Sequence, residues 1–134
     1  MIEQSLFLIK PNAVMRGHVG QIITMLEDQG FAIVKMKLFR FDEELARIFY
    51  AEHIGKEFYP RLQRFMCSGN TVALLLEREN AIKVLRELIG DLSPEKRKPG
   101  TIRALYGDGV TENGAHASDS LESAKRETEV IFGA

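Results

Sequence analysis

Cysteine, net charge and long apolar runs are what this sequence has least of. Cys67 is the only cysteine, which excludes an intramolecular disulfide and fits a reducing compartment. The 18 basic and 19 acidic side chains leave a formal charge of −1, whereas non-specific nucleic-acid binding needs a basic surface. No apolar run approaches the ~18 residues that cross a bilayer, and Lys10 and Pro11 interrupt the opening segment before it resembles a leader. We therefore expect a cytoplasmic protein that binds neither nucleic acid nor membrane.

The length and the hydrophobic content indicate one ordinary domain. The chain has 134 residues, of which 45% are hydrophobic, and a chain of this size supports a single core. It contains no internal repeat, no low-complexity tract and no linker-like stretch. We expect one domain over residues 1–134.

Hydrophobic periodicity predicts most of the helices and strands. A short apolar run at 5–9 predicts a buried strand that ends before Pro11. Val34, Met36 and Leu38 alternate with lysines and predict a strand at 31–40 with one buried and one wet face. The remaining predictions are helices at 18–29, 42–53 with Asp42 as cap, 58–66, 81–89 and 120–128, and strands at 71–76 and 130–132. Residues 91–114 show little periodicity, and a stretch of this length inside a compact domain is usually functional or disordered.

The order of these elements predicts an α+β fold. A strand, a helix, a strand, two inserted helices, a strand and a helix are followed by a loop, a helix and a last strand. This order is typical of a ferredoxin-like split β-α-β sandwich with a four-stranded antiparallel sheet. Right-handed crossovers place the first and third strands in the centre, and we expect helices to cover one side of the sheet.

Residues 113–119, Asn-Gly-Ala-His-Ala-Ser-Asp, are the most informative stretch. Small neighbours leave room for a bulky group to reach His116, and an imidazole with an ordinary pKa of about 6.5 is largely neutral, and so nucleophilic, at cell pH. Asp119 or Ser120 can cap the helix that follows, and a helix start presents free N–H groups that suit a phosphate. Taken alone, a single histidine in a polar loop is more often a solvated turn residue. We interpret the other two histidines, His18 and His53, as solvated.

Four separated segments, taken together, resemble the nucleoside diphosphate kinase family. They are 113–119 followed by Glu127, 9–14 (Ile-Lys-Pro-Asn-Ala-Val), 49–53 (Phe-Tyr-Ala-Glu-His) and 98–103 (Lys-Pro-Gly-Thr-Ile-Arg). The resemblance covers essentially the whole chain. It implies that His116 takes the γ-phosphate of a nucleoside triphosphate and passes it to a diphosphate, so that one nucleotide site is used twice.

The resemblance also implies a role for each matching position. Around His116, the matching residues are Glu127, which orients the imidazole, Ser118 beside that glutamate, and Tyr50, which borders the ring. For the nucleotide, they are Lys10 on ribose and phosphate, Arg86 and Arg103 on phosphate oxygens, Asn113 on a sugar hydroxyl, Leu92 at the phosphates, and Phe58, Leu62 and Val110 as a base clamp. Such a clamp stacks on a base without reading its edge.

Metal, assembly and one departure complete the expectations. No cluster with metal-ligand spacing is present, so Mg²⁺ is expected to arrive on the nucleotide phosphates, with Asp119 as an outer-shell contact. Members of the family assemble into dimer-based tetramers or hexamers, and the short chain resembles bacterial forms. Leu92 stands where the family usually has a threonine that touches phosphate. The alternative reading is therefore a weakened member that binds a nucleotide or a protein partner.

Overall fold

The structure is a computed structural model that describes residues 1–133. Its centre is a four-stranded sheet in the order β2-β3-β1-β4, in which every neighbouring pair is antiparallel. The strands are β1 (Ile2–Ile9), β2 (Ala32–Arg40), β3 (Asn70–Glu79) and β4 (Ala115–Ala117). The predicted four-stranded antiparallel sheet with the first and third strands in its centre is therefore confirmed.

Seven α-helices surround this sheet in residues 1–133. They are α1 (Pro11–Met15), α2 (Val19–Asp28), α3 (Glu43–Phe49), α4 (Tyr59–Met66), α5 (Ala81–Ile89), α6 (Ile102–Tyr106) and α7 (Leu121–Phe132). The sequence reading missed α1 and α6, because five residues are too few to display a helical period. Single 3-10 turns follow α3 at Ala51–His53 and α5 at Pro94–Lys96. None of the helices in this part of the chain combines the length and apolar character needed to cross a membrane.

The fourth strand differs from the prediction. Residues 130–132 do not form a strand but the last turn of α7, whose buried positions Ala124, Glu127 and Ile131 recur at helical spacing. A run of three apolar residues fits either structure, so its period could not decide between them. The sheet is instead completed by β4, in which His116 pairs with Leu8 of β1. The fourth strand is thus the predicted active-site stretch itself.

Helices cover both faces of the sheet, so the expectation of a single covered side is wrong. Phe7 and Ile9 of β1 point into a core that includes residues of α2 and α5. Leu6 and Leu8, which alternate with them, point into a second core that includes residues of α3, α4 and α7. The buried, continuously apolar end of β1 is the sequence signal for a strand covered on both faces.

The edge strand β2 does not have the buried apolar face that its alternation predicted. Val34, Met36 and Leu38 are 44%, 61% and 63% exposed, because β2 is the outermost strand and the helices do not reach over it. A bulge between Ile33 and Lys35 also shifts the register with β3. The described chain therefore presents an uncovered apolar strip along an unpaired strand edge.

Candidate active site

A cavity of about 430 Å³ opens where β4, α5 and the segment after α6 meet. Its lining includes twelve of the thirteen residues predicted for the site: Lys10, Tyr50, Phe58, Leu62, Arg86, Leu92, Arg103, Val110, Asn113, His116, Asp119 and Glu127. Ser118, the thirteenth, lies behind Glu127. A larger crevice of about 710 Å³ adjoins this cavity and shares Arg86, Leu92 and Arg103 with it, but not His116. The smaller cavity is where the reactive side chains converge.

His116 is held in one orientation by its neighbours. β4 pairs it with Leu8, and the Phe49 ring contacts it edge-on at a centroid distance of 5.4 Å. Its Nε2 lies 2.8 Å from Glu127 Oε1. An ionised carboxylate only accepts hydrogen bonds, so Nε2 carries the proton and Nδ1 keeps its lone pair. Nδ1 has no hydrogen-bond partner within residues 1–133, and His116 lines the cavity.

Glu127 is buried and fixed from two sides. Besides the His116 bond, its Oε1 accepts a hydrogen bond from Ser118 Oγ at 2.8 Å. Burial raises the pKa of this carboxyl, but the hydrogen bond and charge of His116, together with the Ser118 hydroxyl, outweigh burial, and the pKa lies below its ordinary value. Glu127 is therefore an anion at neutral pH. The helix that carries it starts at Ser120, whose side chain accepts from Ser123 N, so Ser120 rather than Asp119 is the cap.

Lys10 is a buried amine at the floor of the cavity. It is 5% exposed, and its backbone N–H donates to Gly114 O at 2.9 Å, which ties the end of β1 to the loop before β4. Burial, and then the charge of Arg103, lower the pKa of Lys10 to about 7, against an opposing effect of Glu112. Its ammonium finds no hydrogen-bond acceptor among residues 1–133. An anion in the cavity would supply one.

Two arginines line the same cavity as His116. Arg103 is 4% exposed and donates to Gly90 O at 3.0 Å and to Ala115 O at 3.1 Å. Burial, and then the charges of Arg86 and Arg97, lower its pKa to about 10, so it stays cationic at neutral pH. Arg86 is exposed on α5, and in the part of the chain that the structure describes neither Arg86 nor Arg103 pairs with a carboxylate. This side of the cavity is suited to a phosphate.

At the apolar end of the cavity, large hydrophobic side chains are exposed to solvent. Phe58 and Val110 are 47% and 58% exposed, whereas Leu62 is buried. Phe58 is therefore not an ordinary core residue. Exposed apolar side chains on two walls of one cleft form a surface on which a flat ring can stack.

Tyr50 and Asn113 bring unsatisfied oxygens to the cavity. Both residues are buried, and neither the Tyr50 hydroxyl nor Asn113 Oδ1 has a hydrogen-bond partner within residues 1–133. The amide nitrogen of Asn113 donates to Val110 O at 2.9 Å, which fixes its orientation. Burial raises the pKa of the Tyr50 hydroxyl, so it stays protonated. Buried polar atoms without partners are rare in folded proteins, and in a cavity they indicate a ligand position.

Four residues of the lining were not among the predicted site residues: Glu52, His53, Thr111 and Ala117. His53 was expected to be solvated, but its ring stacks on Tyr50 at 6.0 Å and meets Phe58 edge-on at 5.2 Å. Burial is the main cause that lowers its pKa. Its position three residues after Tyr50, about one helical turn, is the signal that could have placed it beside the site. His18 is also partly buried, and its ring packs against Tyr106.

Known proteins of one family are similar to this chain over nearly its whole length. The model of the family described as nucleoside diphosphate kinase matches residues 3–134. A nucleoside diphosphate kinase of Actinobacillus pleuropneumoniae serotype 3 is 51% identical over 132 residues, which are 98% of this chain and 96% of that protein. A second, from Methanocaldococcus jannaschii, is 46% identical over 98% of this chain and 94% of its own.

Solved structures show the same fold. The nucleoside diphosphate kinase of Aquifex aeolicus superposes with a TM-score of 0.95 at 42% identity, covering 98% of this chain and 96% of that one. The enzyme of Halobacterium salinarum, solved in complex with CDP, gives 0.95 at 37% identity over 100% and 90% of the two chains. With the family model, the relatives and the fold in agreement over nearly every residue, the chain belongs to the nucleoside diphosphate kinase family.

Proposed function

We propose that the chain transfers the γ-phosphate of a nucleoside triphosphate to a nucleoside diphosphate by a ping-pong route through a phosphohistidine on His116. The kinase activity follows from membership in the family, with relatives about half identical over nearly the full length. The observation that supports the role of His116 is the hydrogen bond from Nε2 to Glu127, which leaves Nδ1 as the nucleophilic atom at the cavity.

The reaction needs two displacements at phosphorus. In the first, the Nδ1 lone pair forms an N–P bond while the bond from the γ-phosphorus to the bridging oxygen breaks, and the diphosphate leaves with that electron pair. In the second, a terminal oxygen of another diphosphate attacks the phosphohistidine, and the N–P electrons return to Nδ1. No net proton transfer is required. Glu127 keeps the Nε2 proton in place and stabilises the positive charge that the phosphorylated ring develops.

The cationic wall of the cavity serves the transferred group. A loose phosphoryl transition state spreads negative charge over its oxygens, so catalysis depends on in-line positioning and charge neutralisation. Arg86 and Arg103 present guanidinium groups to those oxygens, and Lys10 binds phosphate and ribose. Asn113 and Tyr50 complete the polar contacts, with Asn113 Oδ1 accepting from a sugar hydroxyl.

The base is bound without selection for its identity. Phe58 and Val110, with Leu62 behind them, hold the ring by stacking and apolar contact. Every base has a π-face, so purines and pyrimidines fit the same clamp. We infer broad nucleotide specificity.

Mg²⁺ enters this proposal bound to the nucleotide. Within residues 1–133, no group of three or more His, Cys, Asp or Glu side chains is placed to hold a metal ion, so phosphate oxygens and water supply its ligands. Asp119 is exposed at the cavity edge, which suits an outer-shell contact through water. When bound, the ion offsets charge on the phosphates.

We infer that the protein forms homo-oligomers built from dimers, as a tetramer or a hexamer. The uncovered strip of Val34, Met36 and Leu38 lies on an unpaired strand edge. Long apolar edges of this kind are normally covered, and a second copy can pair with the same edge. We further infer a single domain over residues 1–134 and a cytoplasmic location, and the single cysteine, Cys67, supports a reducing compartment.

A weakened member that binds a nucleotide or a protein partner is the second candidate, because Leu92 places an apolar, 49% exposed side chain at the cavity. Leu92 is not in contact with the His116–Glu127 pair by any hydrogen bond in residues 1–133. Loss of one hydroxyl lowers phosphate affinity by only about 1 kcal/mol. We therefore prefer the active kinase.

The experiment is a two-step labelling. The protein is incubated with γ-labelled ATP and Mg²⁺, separated from nucleotide, and then given GDP. We expect an acid-labile, base-stable label that moves to GDP, and no label on His116→Ala. His18→Ala is the matched control, because His18 packs on Tyr106 outside the cavity. An unlabelled wild-type protein, or equal labelling of His116→Ala, would refute the route through His116.

A further inference from the structure

Arg97 makes an unusual set of contacts in the loop between α5 and α6. Its Nε donates to Asp91 O at 2.9 Å, and its Nη2 donates to Leu92 O at 2.8 Å and Gly109 O at 2.7 Å. Its Nη1 makes a longer contact with Arg103 O, at 3.4 Å. One partly buried guanidinium thus bonds the main chain on both sides of α6.

These carbonyls belong to the backbone that carries the cavity walls. Leu92 lies at the cavity just after α5, Arg103 is on α6, and Val110 directly follows Gly109. The Arg97 guanidinium therefore joins the backbone that carries Leu92 and Arg103 to the backbone that carries Val110, without itself lining the cavity. The loop has little regular structure of its own, so such cross-links determine its shape.

The packing around the guanidinium leaves little freedom. A Cβ added to Gly107 would lie 3.0 Å from Arg97 Nη1, 2.6 Å from Arg103 O and 2.7 Å from Asn113 O. Arg97 thus packs against the backbone just before the segment that carries Val110 and Asn113. A planar guanidinium can bond several fixed carbonyls at once, whereas an ammonium is a single flexible point charge.

The adjacent residue provides a contrast. Lys96 belongs to the same basic run, but it is exposed, and its ammonium makes no hydrogen bond within the part of the chain that the structure describes. A role that came only from positive charge would be shared by Lys96 and Arg97. A role that depends on the planar guanidinium group and its several donors belongs to Arg97 alone.

We propose that Arg97 is a positioning residue for the nucleotide: it holds the backbone of Asp91 and Leu92 to that of Gly109, and so keeps Arg103 and Val110 at fixed positions in the cavity. The inference rests on the proposed kinase function for its kinetic consequences. The effect of Arg97 on the order of residues 91–110 does not depend on that function and can be measured without any nucleotide.

The test compares Arg97→Gln, Arg97→Lys and the matched control Lys96→Gln. We expect Arg97→Gln and Arg97→Lys each to raise the KM for ADP and GDP by about tenfold, because two or more charge-assisted bonds are lost. The kcat should change by less than about threefold, and Lys96→Gln should stay within about twofold of wild type in both constants. Wild-type KM values for Arg97→Lys would show that charge alone suffices and would overturn the proposal.

Two further measurements distinguish a positioning role of Arg97 from general destabilisation of the fold. They also distinguish failure of this proposal from failure of the proposed kinase function. Phosphorylation of His116 by phosphoramidate, a small donor without a nucleoside, should proceed at the wild-type rate in Arg97→Gln. An equal fall in this rate and in nucleotide turnover would overturn the proposal in favour of general destabilisation. In the nucleotide-free protein, Arg97→Gln should speed amide hydrogen exchange in residues 91–110 but not in β1 or β3. Unchanged exchange in that loop would also overturn it, whatever the enzymatic activity proves to be.

Discussion

Binding of a nucleotide is expected to place a proton on Lys10. In the free protein, burial lowers the pKa of this amine to about 7, so it is about one-tenth protonated at pH 8 and about nine-tenths protonated at pH 6. A bound diphosphate puts anionic oxygens beside the amine, which favours its charged form. The pKa then returns toward the ordinary value near 10.5, and the amine is protonated throughout this range.

The size of the effect follows from these fractions. Lys10 should take up about 0.9 proton per nucleotide at pH 8 and about 0.1 at pH 6. Because binding requires the charged amine, the Kd should weaken about eightfold between pH 7.5 and pH 8.5. A group that had to lose a proton for binding would instead make the Kd stronger as the pH rises.

The assay is isothermal titration calorimetry with Mg·ADP in two buffers that differ in ionisation enthalpy. The difference in apparent enthalpy gives the number of protons taken up. At pH 8 the magnesium-bound diphosphate is fully ionised and brings no titrating group of its own. Lys10→Met, which keeps an unbranched side chain of similar length and removes the amine, serves as the control and should take up about 0.9 proton less. Proton uptake below about 0.2 at pH 8 in the wild-type protein would refute the reasoning, since it would mean that Lys10 is already charged in the free cavity.

Four other changes test separate parts of the site. Leu92→Thr should lower the apparent KM about fivefold with little change in kcat, by adding one hydrogen bond to phosphate; an unchanged KM in steady-state assays would show that the hydroxyl has no partner. Phe58→Ala should raise the KM for ADP, GDP, CDP and UDP by a similar factor of about ten, and a loss confined to purines would contradict an unselective clamp. Glu127→Gln should lower the rate of histidine phosphorylation about 100-fold in rapid-quench measurements while nucleotide affinity is kept; a rate close to wild type would remove the glutamate from the mechanism. Gly114→Ala should lower the free energy of unfolding by about 1–3 kcal/mol in urea titrations, because Gly114 has φ +87° and an added Cβ would lie 2.9 Å from Tyr106 O.

Much of the fold could be predicted from local signals in the sequence. The helix at Ala81–Ile89 and the buried strands have strong, unbroken periods, and these predictions are confirmed. The cap of α3 was also predictable, since Asp42 accepts a hydrogen bond from Leu45 N at 2.8 Å. Where the period was short or absent, prediction failed, as for α1, for α6 and for residues 130–132.

The failed prediction for β2 and the unpredicted contacts of Arg97 have a different cause. Alternation tells which side chains of β2 share a face, but it does not tell whether a helix reaches far enough to cover that face. Similarly, no local sequence pattern predicts that Arg97 donates a hydrogen bond to the carbonyl of Gly109, which lies twelve positions further along the chain. Both depend on tertiary placement, which a local pattern does not contain. The site residues were predicted from the resemblance to the family, which gives no distances between them. The structure places twelve of the thirteen around one cavity.

The cavity buries cationic side chains that have no anionic partner in residues 1–133, and this lowers the stability of the fold. Lys10 has an ordinary pKa of 10.5 and a pKa of about 7 when folded, so between these values the unfolded chain binds the proton more tightly. The free energy of unfolding due to Lys10 therefore rises as the pH increases from 7 to 10.5, and the full penalty, on the order of 5 kcal/mol, is present below pH 7. Arg103 is likewise buried as a cation next to Arg86. A nucleotide supplies the negative charge that both lack, so its binding and the stability of the fold are coupled.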